Sequence, residues 1–162
     1  MPHATPTHHF MFMLGLIVLA SLACGENNDN AATGCPSSTP EACAVIELVN
    51  QARLDEGRQP LTYNAELALS AQRHAEDMVN QGYFSHTSKD GRDFVTRTKE
   101  AGYDGFPTGE NIAAGQRDAN SVMTSWMNST GHKNNILSKG SQEIGVGFHN
   151  NHWVQVFGSP KK

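Results

Sequence analysis

The chain closes on EIGVGFHNNHWVQVFG, residues 143–158, and this stretch limits the possible folds more than any other. Ile144, Val146 and Phe148 alternate, and Trp153, Gln155 and Phe157 alternate again beyond the turn-like His149-Asn150-Asn151-His152. Two period-2 runs about a short polar turn predict an antiparallel β-hairpin. Gly145 and Gly147 fall on the face opposite the large side chains, so that face is bare. A bare strand face lets another backbone, or a bound molecule, come unusually close.

The residues upstream read as helices. Thr39-Pro40-Glu41 supplies an N-cap, a proline at the first helical position and an early acid. Val45, Leu48, Val49 and Ala52 then share one face of a helix that stops near Gly57. Asn64 caps a second helix with Leu67, Ala71, His74, Ala75 and Met78 on its apolar side, ending at Gly82. His74 therefore faces inward as a hydrogen-bonded core histidine. After Tyr83-Phe84-Ser85-His86 and a turn at Asp90-Gly91, a third, shorter helix is expected through Phe94, Val95, Thr98 and Ala101. A loop through Gly105, Pro107 and Gly109 leads into a strand over Glu110–Gly115. Asp118 caps a fourth helix, on which Val122, Trp126 and Ser129 would share a face, and Ser129 or Thr130 can cap a short helix from Lys133 to Leu137. Helices on a mainly antiparallel sheet make an α+β domain.

The first residues belong to targeting. Residues 10–23, FMFMLGLIVLASLA, carry no charge and are too short to span a bilayer comfortably, so 1–23 reads as a signal peptide. Ser21-Leu22-Ala23-Cys24-Gly25 admits two readings, an ordinary signal-peptidase site and a lipobox in which Cys24 is acylated. The chain has three cysteines. Cys35 and Cys43 can pair in an oxidising compartment, and lipidation then accounts for Cys24. Residues 24–34 are small and polar, a flexible tether, and 35–162 fits a single domain. With a net charge of −4, the chain has no electrostatic footprint for nucleic acid.

Four segments taken in order resemble a known family. LVNQARLDEGRQPLTYNAELALSAQRHAEDMVNQGYFSH, GENIAAG, SWMNSTGHKNNIL and EIGVGFHNNHWVQVFG are together similar to the bacterial branch of the CAP superfamily. Its SCP-like domain is shared by cysteine-rich secretory proteins, venom allergens and plant pathogenesis-related proteins. The resemblance implies an α-β-α sandwich. It also implies a cleft that eukaryotic members line with two histidines and two acids. By motif, the histidines are His86 and His132 and the first acid is Glu110. Ser129 stands where the second acid would be, three residues after the tryptophan.

Two imidazoles and a carboxylate are ligand types that zinc accepts. The resemblance therefore implies reversible zinc binding by His86 and His132, with Glu110 as a ligand or behind one. The alternative is a hydrogen-bond cluster that fixes loop positions without metal. A hydrolase using Ser129, His132 and Glu110, or a metal-bound water, would act on peptide or envelope polymer. However, Ser129 lacks a nucleophile elbow and the second acid is missing. The expected function is thus binding of an envelope lipid, glycan or protein by an exported, lipid-anchored or secreted domain, rather than catalysis. If Cys24 is the anchor, intact mass of the membrane fraction will show an added diacylglycerol and Cys24→Ser will shift the protein to the medium. An unmodified wild-type chain starting after Ala23 would instead establish the ordinary peptidase site.

Overall fold

A computed structural model describes Met1, His3 and residues 39–162. The expected signal peptide apart from Met1 and His3, Cys24, the expected tether and Cys35 lie outside the described residues, and with Cys35 so does the expected pairing with Cys43. Chain contacts divide the molecule into residues 1–30 and 31–162, and only the second unit is described below.

Helix α1 (Pro40–Asp55) starts at the proline cap, where the Thr39 hydroxyl accepts from the Ala42 N–H at 3.2 Å. Helix α2 (Ala65–Gln81) is capped by Asn64, whose Oδ1 accepts from Leu67 N–H at 2.9 Å, and ends at left-handed Gly82. Helix α3 (Phe94–Glu100) is capped by Asp93, and α4 (Ala119–Met127) by Asp118. A short α5 (Thr130–Ile136) follows directly. Side-chain caps of this kind satisfy N–H groups that a helix start leaves unpaired, and replacing one costs about 1 kcal/mol.

Four strands form the sheet: β1 (Thr62–Tyr63), β2 (Phe106–Ala114), β3 (Glu143–His149) and β4 (His152–Ser159). Their order is β1-β3-β4-β2. The expected hairpin is β3–β4, in register from Glu143 opposite Gly158 to His149 opposite His152. Its turn is Asn150-Asn151, both with positive φ, as a tight two-residue hairpin loop demands. β2 pairs antiparallel with β4, whereas β1 runs parallel to β3, so the sheet is mixed.

Period-2 alternation sorts the sheet into two faces. Ile144, Val146, Trp153 and Phe157 pack with Val45 and Val49 of α1 and Val122 and Trp126 of α4. On the other face Ile112, Val154 and Val156 meet Leu67, Ala71, Ala75 and Met78 of α2. The result is the α-β-α sandwich, with one apolar layer on each side of the sheet.

Gly145 and Gly147 explain how close the second layer sits. A Cβ on Gly145 would enter the backbone between Leu67 and Ala68, and one on Gly147 the backbone between Ala71 and Gln72. What occupies the bare face is therefore another backbone, that of α2. The Gln72 side chain fastens this seat by accepting from Phe148 N–H at 3.0 Å.

Three elements differ from the sequence reading. The Leu61 region forms β1, because the Asn50 amide clasps Leu61 N–H (2.7 Å) and C=O (3.0 Å) and delivers the chain to the β3 edge. The loop expected through Pro107 and Gly109 is the first half of β2. Proline is tolerated there because β2 is an edge strand with an irregularity between Pro107 and Gly109. α4 ends at Met127, and Ser129 has extended backbone (φ −106, ψ 119), so Ser129 and Trp126 do not share a helical face.

Substituting Gly145→Ala or Gly147→Ala forces α2 off the sheet, and urea unfolding should show a loss of about 3 kcal/mol, the upper range for overpacking. Gly91→Ala is the comparison: Gly91 has open space around its Cβ position and only its positive φ to satisfy, so its loss should be about 1 kcal/mol.

Candidate functional site

The site begins with a buried ion pair. Glu110 lies on β2 and Arg97 on α3, with side chains 1% and 5% exposed, and Arg97 Nη2 donates to Glu110 Oε2 at 2.7 Å. The second carboxylate oxygen, Oε1, accepts from His86 Nδ1 at 2.8 Å. A carboxylate only accepts, so Nδ1 carries the hydrogen, and in the neutral imidazole Nε2 keeps its lone pair. The His86 side chain is 54% exposed, with Nδ1 turned to the buried Glu110 carboxylate.

Arg97 also builds the backbone beneath His86. Its Nη1 donates to His86 O (2.9 Å), Ser88 Oγ (3.2 Å) and Arg92 O (2.9 Å). His74, fully buried on α2, donates from Nε2 to Ser85 O at 3.0 Å. The core role read for His74 is therefore to hold the segment preceding His86.

His132 is presented by different means. It lies on α5, and its carbonyl accepts from Asn111 Nδ2 at 3.2 Å. Asn111 is buried on β2 and also donates to Gln155 Oε1 at 3.0 Å. Asn135, one turn after His132, donates to Asn111 Oδ1 at 2.8 Å and to Glu110 O at 3.3 Å. Gly109 leaves room for this, since a Cβ there would stand 3.1 Å from the Asn135 amide. Burial, and then the neighbouring His86, hold the His132 pKa below the ordinary 6.5. The two imidazoles thus share one electrostatic neighbourhood.

Ser129 does not complete a triad. It is the N-cap of α5 by position but makes no side-chain cap bond. Among the described residues, no hydrogen bond joins Ser129 to His132 or His132 to Glu110. The Ser129 backbone is occupied by Trp126 O (3.1 Å) and Lys133 N–H (2.9 Å).

The donor set fits zinc only in part. A histidine held through Nδ1 by a carboxylate is the usual support for a metal-binding Nε2. Glu110 is committed to Arg97 and His86, which suits a supporting group rather than a ligand. No cluster of three or more His, Cys, Asp or Glu able to hold a metal occurs among the described residues. Among the described residues the site therefore presents two imidazoles, His86 and His132, and not a complete ligand set.

Arg97, Asn111 and Asn135 are the site residues that the sequence reading missed. Asn111 and Asn135 lie inside the quoted motifs GENIAAG and SWMNSTGHKNNIL, and for Asn111 a polar residue within an apolar strand was the available signal.

The architecture and this arrangement belong to a known class. Residues 46–157 match the model of the cysteine-rich secretory protein (CAP) family, and the chain belongs to that family. It is 37% identical over 131 residues to the uncharacterized protein YkwD of Bacillus subtilis, covering 79% of this chain and 51% of YkwD. It is 33% identical over 113 residues to the uncharacterized membrane protein YlbC of the same species, covering 70% of this chain and 33% of YlbC. The chain thus spans about half of one relative and a third of the other. A crystal structure of an extracellular SCP-domain protein from Bacillus anthracis superposes with a TM-score of 0.71 at 29% identity, covering 73% of this chain and 40% of that one. An outer surface protein of Borrelia burgdorferi shares the fold, with a TM-score of 0.66 at 22% identity over 75% of this chain and 93% of its own.

Removing Arg97 as Arg97→Ala strands a buried carboxylate, so urea unfolding should show a loss of about 3–5 kcal/mol. Burial, the largest cause, lowers the His74 pKa from 6.5. The unfolded chain then binds the proton more readily than the folded one, so stability is full above 6.5 and falls as pH drops below it. Denaturation from pH 8 to 5 should show this fall, with a shallower slope in His74→Phe.

Proposed function

We propose that this is an exported binding domain that takes an envelope lipid, glycan or protein at the rim formed by His86 and His132, and that it is not a hydrolase. The observation that carries this reading is the commitment of both Glu110 oxygens, one to Arg97 and one to His86. A carboxylate that is buried and already paired is poorly placed to move protons for substrate. The exposed imidazole of His86 and the half-buried one of His132 remain as hydrogen-bonding groups on a rigid base.

A divalent ion such as Zn²⁺ would be held reversibly by His86 Nε2 and His132, where it would supply a positive point for an oxygen-bearing ligand. The chain's own part is to orient: Glu110 fixes the His86 ring, and Asn111 and Asn135 fix the backbone of His132.

Export is supported by the uncharged leader and by the extracellular SCP-domain relative from Bacillus anthracis. We assign Cys24 as the lipid anchor at the outer face of a bacterial membrane, and Cys35–Cys43 as a staple at the entry to α1, whose first turn holds Cys43. Among the described residues no helix is long and apolar enough to cross a membrane.

Calorimetric titration with zinc should give weak, saturable binding that is lost in His86→Ala and in His132→Ala. Glu110→Gln should weaken it about tenfold or more, as removal of a supporting partner does. Peptide, ester and peptidoglycan substrates should show no turnover. Hydrolysis abolished by His132→Ala would overturn the binding reading, and zinc affinity indifferent to both histidines would remove the metal from it.

A further inference from the structure

A second site lies beyond the C-terminal end of α1, built from residues the histidine rim does not use. Arg53, in the last turn of α1, is 2% exposed. Its guanidinium donates to four carbonyls: Gln59 (2.8 Å), Ile136 (2.6 Å), Ser138 (3.0 Å) and Ser141 (3.5 Å). No carboxylate pairs with it among the described residues, so carbonyl dipoles stabilise the charge without neutralising it.

Beside Arg53 opens a cleft of about 590 Å³, lined also by Arg58, Lys139, Gln59, Ser141 and Gln142. It brings three cationic side chains together and no acidic residue lines it. The nearby acids are engaged elsewhere: Asp55 accepts from Gln51 at 2.8 Å, and Glu56 pairs with Lys133 at 3.5 Å. Lys139 makes no ion pair among the described residues. Arg58 Nε is buried and has no hydrogen-bond partner among them. The attraction for an anion comes from three cationic side chains with no acid lining the cleft beside them, and hydrogen bonds between such charges and a phosphate are strong. The field is uncompensated: burial, and then the charge of Arg58, lower the Arg53 pKa.

We infer that this cleft is an anion site for a phosphate-bearing group, bound by Arg58 and Lys139 over the fixed charge of Arg53. A phosphate fits better than a carboxylate because it can meet a guanidinium fork and an ammonium together with separate oxygens. The cleft is also larger than a lone carboxylate needs. Phosphate could be presented by a lipid headgroup or by a soluble or polymeric phosphoester, and the recognition chemistry is common to both.

The full chain, labelled with ¹⁵N, is titrated with glycerol 3-phosphate at constant ionic strength, and separately with phosphatidylglycerol or phosphatidylcholine vesicles. Saturable amide shifts at residues 57–59 and 139–142 are expected. The double variant Arg58→Gln/Lys139→Gln should bind glycerol 3-phosphate at least about tenfold more weakly, since hydrogen bonds to charged groups are worth roughly that much each. Arg53 is left intact because its role is structural, and the variant's unchanged spectrum elsewhere and unchanged zinc binding confirm its fold. Binding to phosphatidylglycerol that is lost in the variant supports a lipid source, and binding to glycerol 3-phosphate alone supports a soluble or polymeric one. Equal affinity in the variant, shifts that never saturate, or displacement of phosphate by equimolar chloride would overturn the site. Since His86→Ala should leave phosphate binding intact, failure here is separable from failure at the histidine rim.

Discussion

One guanidinium, that of Arg97, joins three points of the chain between residues 86 and 110. From its place on α3 it pairs with Glu110 on β2 and donates to the carbonyls of His86 and Arg92. Burying this pair is expensive in desolvation, and the cost is offset by the bonds of both Glu110 oxygens and of Arg97 Nη1 and Nη2, while Arg97 Nε has no hydrogen-bond partner among the described residues. The outcome is geometric. Glu110 cannot turn away, and the ring of His86 is aimed by a carboxylate that cannot move.

That arrangement needs a floor, which α2 provides by lying directly on the glycine face of β3. With α2 fixed, His74 reaches Ser85 and sets the path of the chain into His86. The opposite half of the rim has an independent support. Asn111, Asn135 and Gln155 tie α5 to two adjacent strands, so His132 is held by amide groups and not by charge. Two rigid supports, one ionic and one neutral, hold the exposed imidazole of His86 and the half-buried one of His132. A surface prepared this way suits recognition, where a fixed arrangement of donors and acceptors lowers the entropy lost on binding.

Much of the fold was legible because it depends on local chemistry. Caps at Thr39, Asn64 and Asp118, the stop at Gly82 and the Asn150-Asn151 turn each follow from a residue's own conformational preference. The bare face at Gly145 and Gly147 announced a close approach, but only tertiary structure could say that α2 makes it. β1 is two residues long and exists because Asn50 reaches Leu61, a contact with no periodic signature. Pro107 read as a loop because proline lacks a donor, yet an edge strand does not need one there. The site was legible through its motifs, which brought His86, Glu110 and His132 together. Arg97 was not, since an arginine in FVTRTKE looks like an ordinary exposed helix residue until Glu110 is seen beneath it. Ser129 was placed by extrapolating helical spacing two residues beyond the end of α4.

The binding rim depends on Glu110 gripping His86 through Nδ1, which leaves Nε2 as the outward nitrogen. Long-range ¹H–¹⁵N correlation of the His86 ring at neutral pH reads this directly. An Nδ1–H tautomer with an unprotonated Nε2 is expected, changing to the opposite tautomer or to a mixture in Glu110→Gln. An Nε2–H tautomer in the wild-type protein, unaltered by that substitution, would contradict it.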